Sequence, residues 1–91
     1  MTEQELQALR NGDQQQFSLL VRAHHMALLA LATPIAGQSN AEEVVQSAWL
    51  KAYKAISTFE GRANIRTWLG KIVINEARMK LRANKREYLF S

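Results

Sequence analysis

The chain has 91 residues, 47% of them hydrophobic and 22% charged, with twelve Lys and Arg against eight Asp and Glu for a formal net charge of +4. That length suits one domain that buries roughly 60% of the surface of its unfolded chain, and the apolar share excludes a disordered polyelectrolyte. The absence of cysteine excludes disulfides and thiolate-ligated zinc and fits a reducing, cytoplasmic compartment.

From the N-terminus, residues 1–16 are polar, with no cationic start leading into an apolar run, so they do not read as a signal peptide. Thr2 and Glu5 have capping-box spacing and open a short helix to about Arg10. Asn11-Gly12 breaks it, and Asp13 caps the next. In that second helix Phe17, Leu20, Val21, His24, Leu28 and Leu31 recur at the spacing of one buried face. Pro34 is expected to kink or end it, and Gly37 to close it. Its most apolar run, residues 26–36, is about eleven residues against roughly twenty needed to span a bilayer, so no membrane insertion is expected.

Asn40 and Glu43 form a second capping box. The helix they open carries Val44, Val45, Ala48, Trp49, Ala52 and Ile56 on one face. Residues 57–63 make a loop around Gly61, and Asn64 caps a last helix running to about Arg86. No segment alternates with the period of a strand. The expected architecture is all-α, a compact bundle of three main helices with a short leading one, in a single domain spanning residues 1–91.

Charge is distributed unevenly along this plan. Residues 1–50 carry two cations and five anions, whereas residues 61–91 carry eight cations and two anions. At about 100° per residue, one stripe of the last helix and its entry collects Asn64, Thr67, Trp68, Lys71, Asn75, Arg78, Arg82, Lys85 and Arg86. The opposite side holds Ile65, Leu69, Ile72 and Val73, then turns polar at Glu76, Lys80 and Asn84. The helix is therefore expected to pack over its first half and project over its second. A stripe of cations without interleaved acids fits phosphates better than plain solvent, and its one amide within the cationic stretch, Asn75, can hydrogen-bond a base edge.

Other chemistries find little support. His24 and His25 are adjacent, point to different helix faces and lack a third ligand, so a structural or surface role is expected and no metal. No nucleophile–base set, paired-carboxylate pocket or phosphate-binding glycine loop stands out, so the chain is not read as an enzyme and needs no cofactor.

Three blocks then carry a resemblance: NAEEVVQSAWLKAY at residues 40–53, F-x-G at Phe59 and Gly61, and TWLxxIxxN at residues 67–75. In this order and spacing they resemble region 2 of bacterial sigma-70 family sigma factors, the extracytoplasmic-function (ECF) branch above all, over about residues 13–86. The resemblance implies that the helix from Asn40 docks on the β′ clamp helices of RNA polymerase core through Glu42, Glu43, Gln46, Trp49, Leu50 and Tyr53. Helical spacing divides that set, since Trp49 falls with Val45, Ala48 and Ala52 on the core face, while Glu43, Gln46, Leu50 and Lys54 face outward. Residues 59–66 resemble the loop that captures a base flipped from the minus-ten element. The residues implied for promoter DNA are Phe59, Gly61, Arg62, Asn64, Arg66, Trp68, Lys71, Asn75, Arg78 and Arg82. Asn75 stands where the family often places a base-contacting asparagine, and Lys71, Arg78 and Arg82 would hold the backbone. Trp68 is open to two roles, stacking on a base or wedging the loop onto the bundle.

The resemblance thus implies a transcription-initiation domain with three partners: polymerase core, the minus-ten non-template strand and an anti-sigma protein. Departures from the pattern are Ser47 in place of a usual acid, Ile65 in place of a commoner aromatic, Pro34 within a helix, and the absence of a minus-thirty-five-binding domain. Two rivals predict different partners. A duplex binder would lay the last helix in a major groove, though a tight helix-turn-helix needs a shorter turn than residues 57–63. A basic interaction bundle would meet an acidic protein or membrane surface.

Overall fold

The computed structural model describes residues 1–90. Helices α1 (Glu3–Arg10), α2 (Gln14–Ala36), α3 (Gln38–Ala55) and α4 (Ile65–Phe90) follow in order, with a 3₁₀ turn at Ile56–Thr58 after α3. The long helices α2, α3 and α4 pack pairwise, and α1 lies against α2 and the 3₁₀ turn. The all-α bundle of three main helices plus a short leader is as expected.

The caps explain most boundaries. The Thr2 side chain accepts from the Glu5 N–H, and the Asp13 carboxylate from the Gln16 N–H, each satisfying a donor that the first turn leaves over. Asn64 does the same for α4, its Oδ1 accepting from the Arg66 N–H at 2.8 Å.

Gly37 closes α2 as expected, and two other boundaries differ from expectation. Pro34 does not end α2, which continues to Ala36 before Gly37, at φ +92°, terminates it. A proline two residues from a helix end removes one backbone hydrogen bond and leaves little helix beyond it to disrupt. The Asn40–Glu43 capping box does not form, because α3 already begins at Gln38 behind Gly37. Asn40 instead donates its Nδ2–H to the Ala36 carbonyl at 2.9 Å, closing α2 rather than opening α3. Glu43 pairs with Lys80 of α4 at 3.2 Å. Finally, α4 runs to Phe90, about one turn past the expected end.

The core centres on Leu28 of α2, Val45 of α3, and Leu69 and Val73 of α4, all exposed by 2% or less. Small residues let the helices approach around them: Ala32 and Ala36 on α2, and Ala41, Ala48 and Ala52 on α3. Gly70 belongs to the same design, since a Cβ there would meet Leu31 of α2 at 3.3 Å. By length and composition α2 could cross a bilayer, which an eleven-residue count understates. In the bundle its face bearing Leu20, Leu28, Ala32 and Ala36 is buried.

On α4 the buried side extends beyond Val73 to Glu76 and Ala77. Glu76 stays buried because it forms an ion pair with Lys51 of α3; an uncompensated carboxylate there would carry a large desolvation cost. Past Lys80 the helix leaves the bundle, and Leu81, Tyr88 and Leu89 are exposed. The projecting end gives the molecule its elongation, 50 Å against 22 and 21 Å across.

A candidate nucleic-acid interface and a candidate docking face

Residues 59–64 lie against α1, a contact that sequence spacing did not reveal. Arg10 donates from Nε to the Phe59 carbonyl at 2.6 Å. Gly61 takes φ +82°, and a Cβ there would sit 3.0 Å from Leu6 Cδ2. This glycine therefore answers two demands, a left-handed backbone and close approach to α1. Between α1 and the loop opens a pocket of about 290 Å³ lined by Thr2, Leu6, Phe59, Gly61, Asn64 and Ile65, among others. The forward signals were Gly61 and Asn64; nothing in the sequence pattern pointed to α1 as the second wall.

Of the side chains expected around this loop, Arg62, Asn64 and Arg66 are exposed. Phe59 is not: at 6% exposure its ring belongs to the core, where it packs against Trp68 at 5.2 Å between centroids. A ring so placed offers little of its face to an incoming base. Trp68 is half-buried on that same ring, the arrangement of a wedge between loop and bundle. Arg62 meets Glu60 at 3.0 Å with both side chains largely in solvent, a pairing that contributes little.

Beyond the pocket the polar stripe of α4 faces outward. Lys71, Asn75, Arg78, Arg82, Lys85 and Arg86 are all exposed. Among the described residues none of these cations enters an ion pair; those present are His25–Glu42, Lys51–Glu76, Arg62–Glu60 and Lys80–Glu43. An uncompensated row of cations along some four turns is an electrostatic track for polyanions. Beside it a groove of about 600 Å³ runs between the end of α3 and α4, with Lys51, Lys71, Asn75, Glu76 and Arg78 in its walls. Lys51 was not anticipated here because it comes from another helix.

The other candidate face lies on α3. Glu42, Glu43, Gln46, Leu50 and Tyr53 are exposed, Leu50 by 66%. Trp49 is the exception in the expected docking set. It is 8% exposed, stands edge-on to Phe17 at 5.7 Å, and donates its indole N–H to His25 Nδ1 at 3.1 Å. Its bulk and its only donor are both committed to the bundle. His25 Nε2 in turn lies 3.0 Å from Glu42 Oε1. Neither histidine joins a cluster of metal-ligating type among the described residues; His24 Nδ1 accepts from Arg66 Nε at 3.2 Å.

Comparison with known proteins identifies the family and the fold. The family model Sigma-70 region 2 matches residues 20–87. The ECF RNA polymerase sigma-E factor of Haemophilus influenzae is 33% identical over 87 residues, and that of Escherichia coli K12 34%. In each case the match covers 94% of this chain and 46% of the relative, so the chain spans about half the length of the curated relatives it matches. Among solved structures, the NMR structure of an engineered region 2 of sigmaE in complex with GTAAAA superposes with a TM-score of 0.85 at 32% identity, covering 96% of this chain and 97% of that one. With its fold and its sequence in agreement, the chain belongs to the sigma-70 region 2 family.

Proposed function

We propose that this chain acts as the part of an ECF sigma factor that binds RNA polymerase core and recognises and opens the minus-ten promoter element. The observation that carries the reading is a pocket and a cationic stripe on one helix: the cavity bounded by Gly61 and Asn64 lies at the N-terminal end of α4, and the same helix carries the exposed cations and Asn75. A base turned out of the duplex would enter the pocket, where the loop backbone and the Asn64 amide can meet its edge. Lys71, Arg78 and Arg82 would hold the phosphates, and Asn75 would read a neighbouring base edge. Capture of the unstacked base holds the strands apart, so opening needs no nucleotide hydrolysis.

The outward face of α3, with Gln46 and Leu50 at its centre and Glu42, Glu43 and Tyr53 around it, would dock on the β′ clamp helices. Trp49 supports that face from beneath. The reading places the chain with polymerase in the cytoplasm and makes an anti-sigma protein a further partner. The test is a pull-down with purified polymerase core, followed by binding to non-template single strand and to duplex of the same sequence. Retention of core and preference for the single strand are expected. Failure to retain core, or a clear preference for duplex, would sink the reading in favour of a duplex binder.

A further inference from the structure

Arg66 stands in the first turn of α4, where a cation is electrostatically misplaced. Unpaired backbone N–H groups make a helix N-terminus positive, and side chains of the same sign are disfavoured there. None of the ion pairs among the described residues offsets this charge. Instead the guanidinium is held by a neutral acceptor from another helix, with Arg66 Nε 3.2 Å from His24 Nδ1 on α2. Asn64 fixes the backbone of the same residue through its N–H. With Nε engaged, the two terminal nitrogens of this exposed side chain make no hydrogen bond among the described residues. A cation placed against the helix dipole, fixed at both ends and still presenting its outer edge, fits an anion that arrives from outside.

We infer that His24 is a positioning residue for DNA: from α2 it aims Arg66 at a phosphate of the strand whose base enters the loop pocket. The DNA surface then begins on α2 rather than at the start of α4. The inference rests on the DNA-binding reading above and adds a residue to it. Burial, and then the charge of Arg66, hold the His24 imidazole below its ordinary value of 6.5, which keeps Nδ1 a lone-pair acceptor at neutral pH. The adjacent His25 turns to Glu42 and Trp49 of α3, so the charge set against His24 is that of Arg66. Protonation of His24 would remove the acceptor and repel the guanidinium.

The test is fluorescence anisotropy of a labelled single-stranded GTAAAA oligonucleotide with five variants: His24→Ala, His24→Asn, Arg66→Ala, the His24→Ala/Arg66→Ala double variant, and Arg82→Ala. Asn is the conservative replacement, because its Oδ1 occupies the place of Nδ1 and does not titrate in this range. His24→Ala and Arg66→Ala should each weaken binding by roughly 3- to 10-fold and lower the salt slope by about 0.7. The double variant should be no weaker than Arg66→Ala alone. His24→Asn should bind as wild type at pH 7.5 and escape the loss of affinity that wild type suffers towards pH 5.5. Additive losses, or an unchanged His24→Ala, would overturn the inference while Arg82→Ala still weakens binding. If Arg82→Ala and Arg66→Ala both leave binding unchanged, the DNA-binding reading itself falls, and this inference with it.

Discussion

Trp49 and His25 are joined by a hydrogen bond from the indole N–H to Nδ1 at 3.1 Å, across the interface of α2 and α3. With Nδ1 accepting, the neutral imidazole carries its proton on Nε2 and directs it to Glu42. A core aromatic is thereby tied to an acid on the proposed docking face. Trp49→Phe keeps most of the ring volume and loses the donor. It is expected to cost about 1 kcal/mol, which in a chain of this size lowers Tm by roughly 4–8 °C. Trp49→Ala adds a cavity and should cost about 3–5 kcal/mol, enough to unfold much of the population. Thermal melts followed by circular dichroism measure both.

Leu50 supplies the contrast. It is 66% exposed one residue after a core tryptophan, so Leu50→Glu should leave the melt within about 0.5 kcal/mol of wild type. On the proposed reading it should also reduce retention of polymerase core severalfold. If Leu50→Glu and Gln46→Ala both retain core at wild-type levels, α3 is not the docking element.

Gly61→Ala should be destabilising by about 1–2 kcal/mol, because alanine is disfavoured at a left-handed φ and its Cβ would press on Leu6. Adding Leu6→Ala relieves the clash without relieving the backbone, and it removes a core side chain as well. The double variant should therefore stay at least as unstable as Gly61→Ala. Full recovery of Tm in the double variant would show that crowding, and not backbone conformation, selects glycine.

On α4, Asn75→Ala and Arg82→Ala are expected to fail differently. Loss of the amide should flatten discrimination among oligonucleotides that differ at one position. Loss of the cation should weaken all of them about equally and lower the salt slope by about 0.7–0.9. Equal, sequence-blind losses from both would contradict the division of roles.

Glu76 and Lys51 give a stability prediction. Lys51→Ala strands a buried carboxylate, so it should cost more than Lys54→Ala on the neighbouring turn, by about 1–2 kcal/mol. That is less than the 3–5 kcal/mol typical of fully buried pairs, since about half of the Lys51 side chain reaches water. Glu76→Gln in the Lys51→Ala background should recover part of the loss, read as the urea midpoint. No recovery would show that the carboxylate's charge is not the cause.

His24 makes stability depend on pH. Its folded pKa is lowered, by burial first and by Arg66 second, so the unfolded chain binds more protons than the folded one. The contribution of His24 is therefore complete above pH 6.5 and declines as pH falls through the folded value. Tm should drop between pH 7.5 and 5.5 in the wild type, and less in His24→Asn.

The helices were legible because their signals are local. Thr2, Asp13 and Asn64 cap where their side chains dictate, and the Leu28–Val45–Val73 core follows from spacing alone. Asn40 misled because its side chain found a nearer use on the last carbonyls of α2, where Gly37 left no room for a separate cap. Burial of Glu76 was hidden because the lysine that permits it lies on α3. Phe59 looked like a loop aromatic until α1 and Trp68 covered it. The Glu76 and Phe59 misses involve partners far along the chain, and such pairings leave no periodicity to read.

Helix α4 has one more consequence. It begins at the loop pocket and continues unbroken past Arg82, so at about 1.5 Å per residue Asn64 and Arg82 are fixed roughly 27 Å apart. On the proposed reading that helix is a ruler: it sets the span between the captured base and the last phosphate clamp at about eight base-pair steps of 3.4 Å. Inserting one residue after Ala77 would swing Arg82, Lys85 and Arg86 about 100° around the axis while leaving the pocket intact. Base capture would survive the insertion, and hold on the flanking phosphates would not.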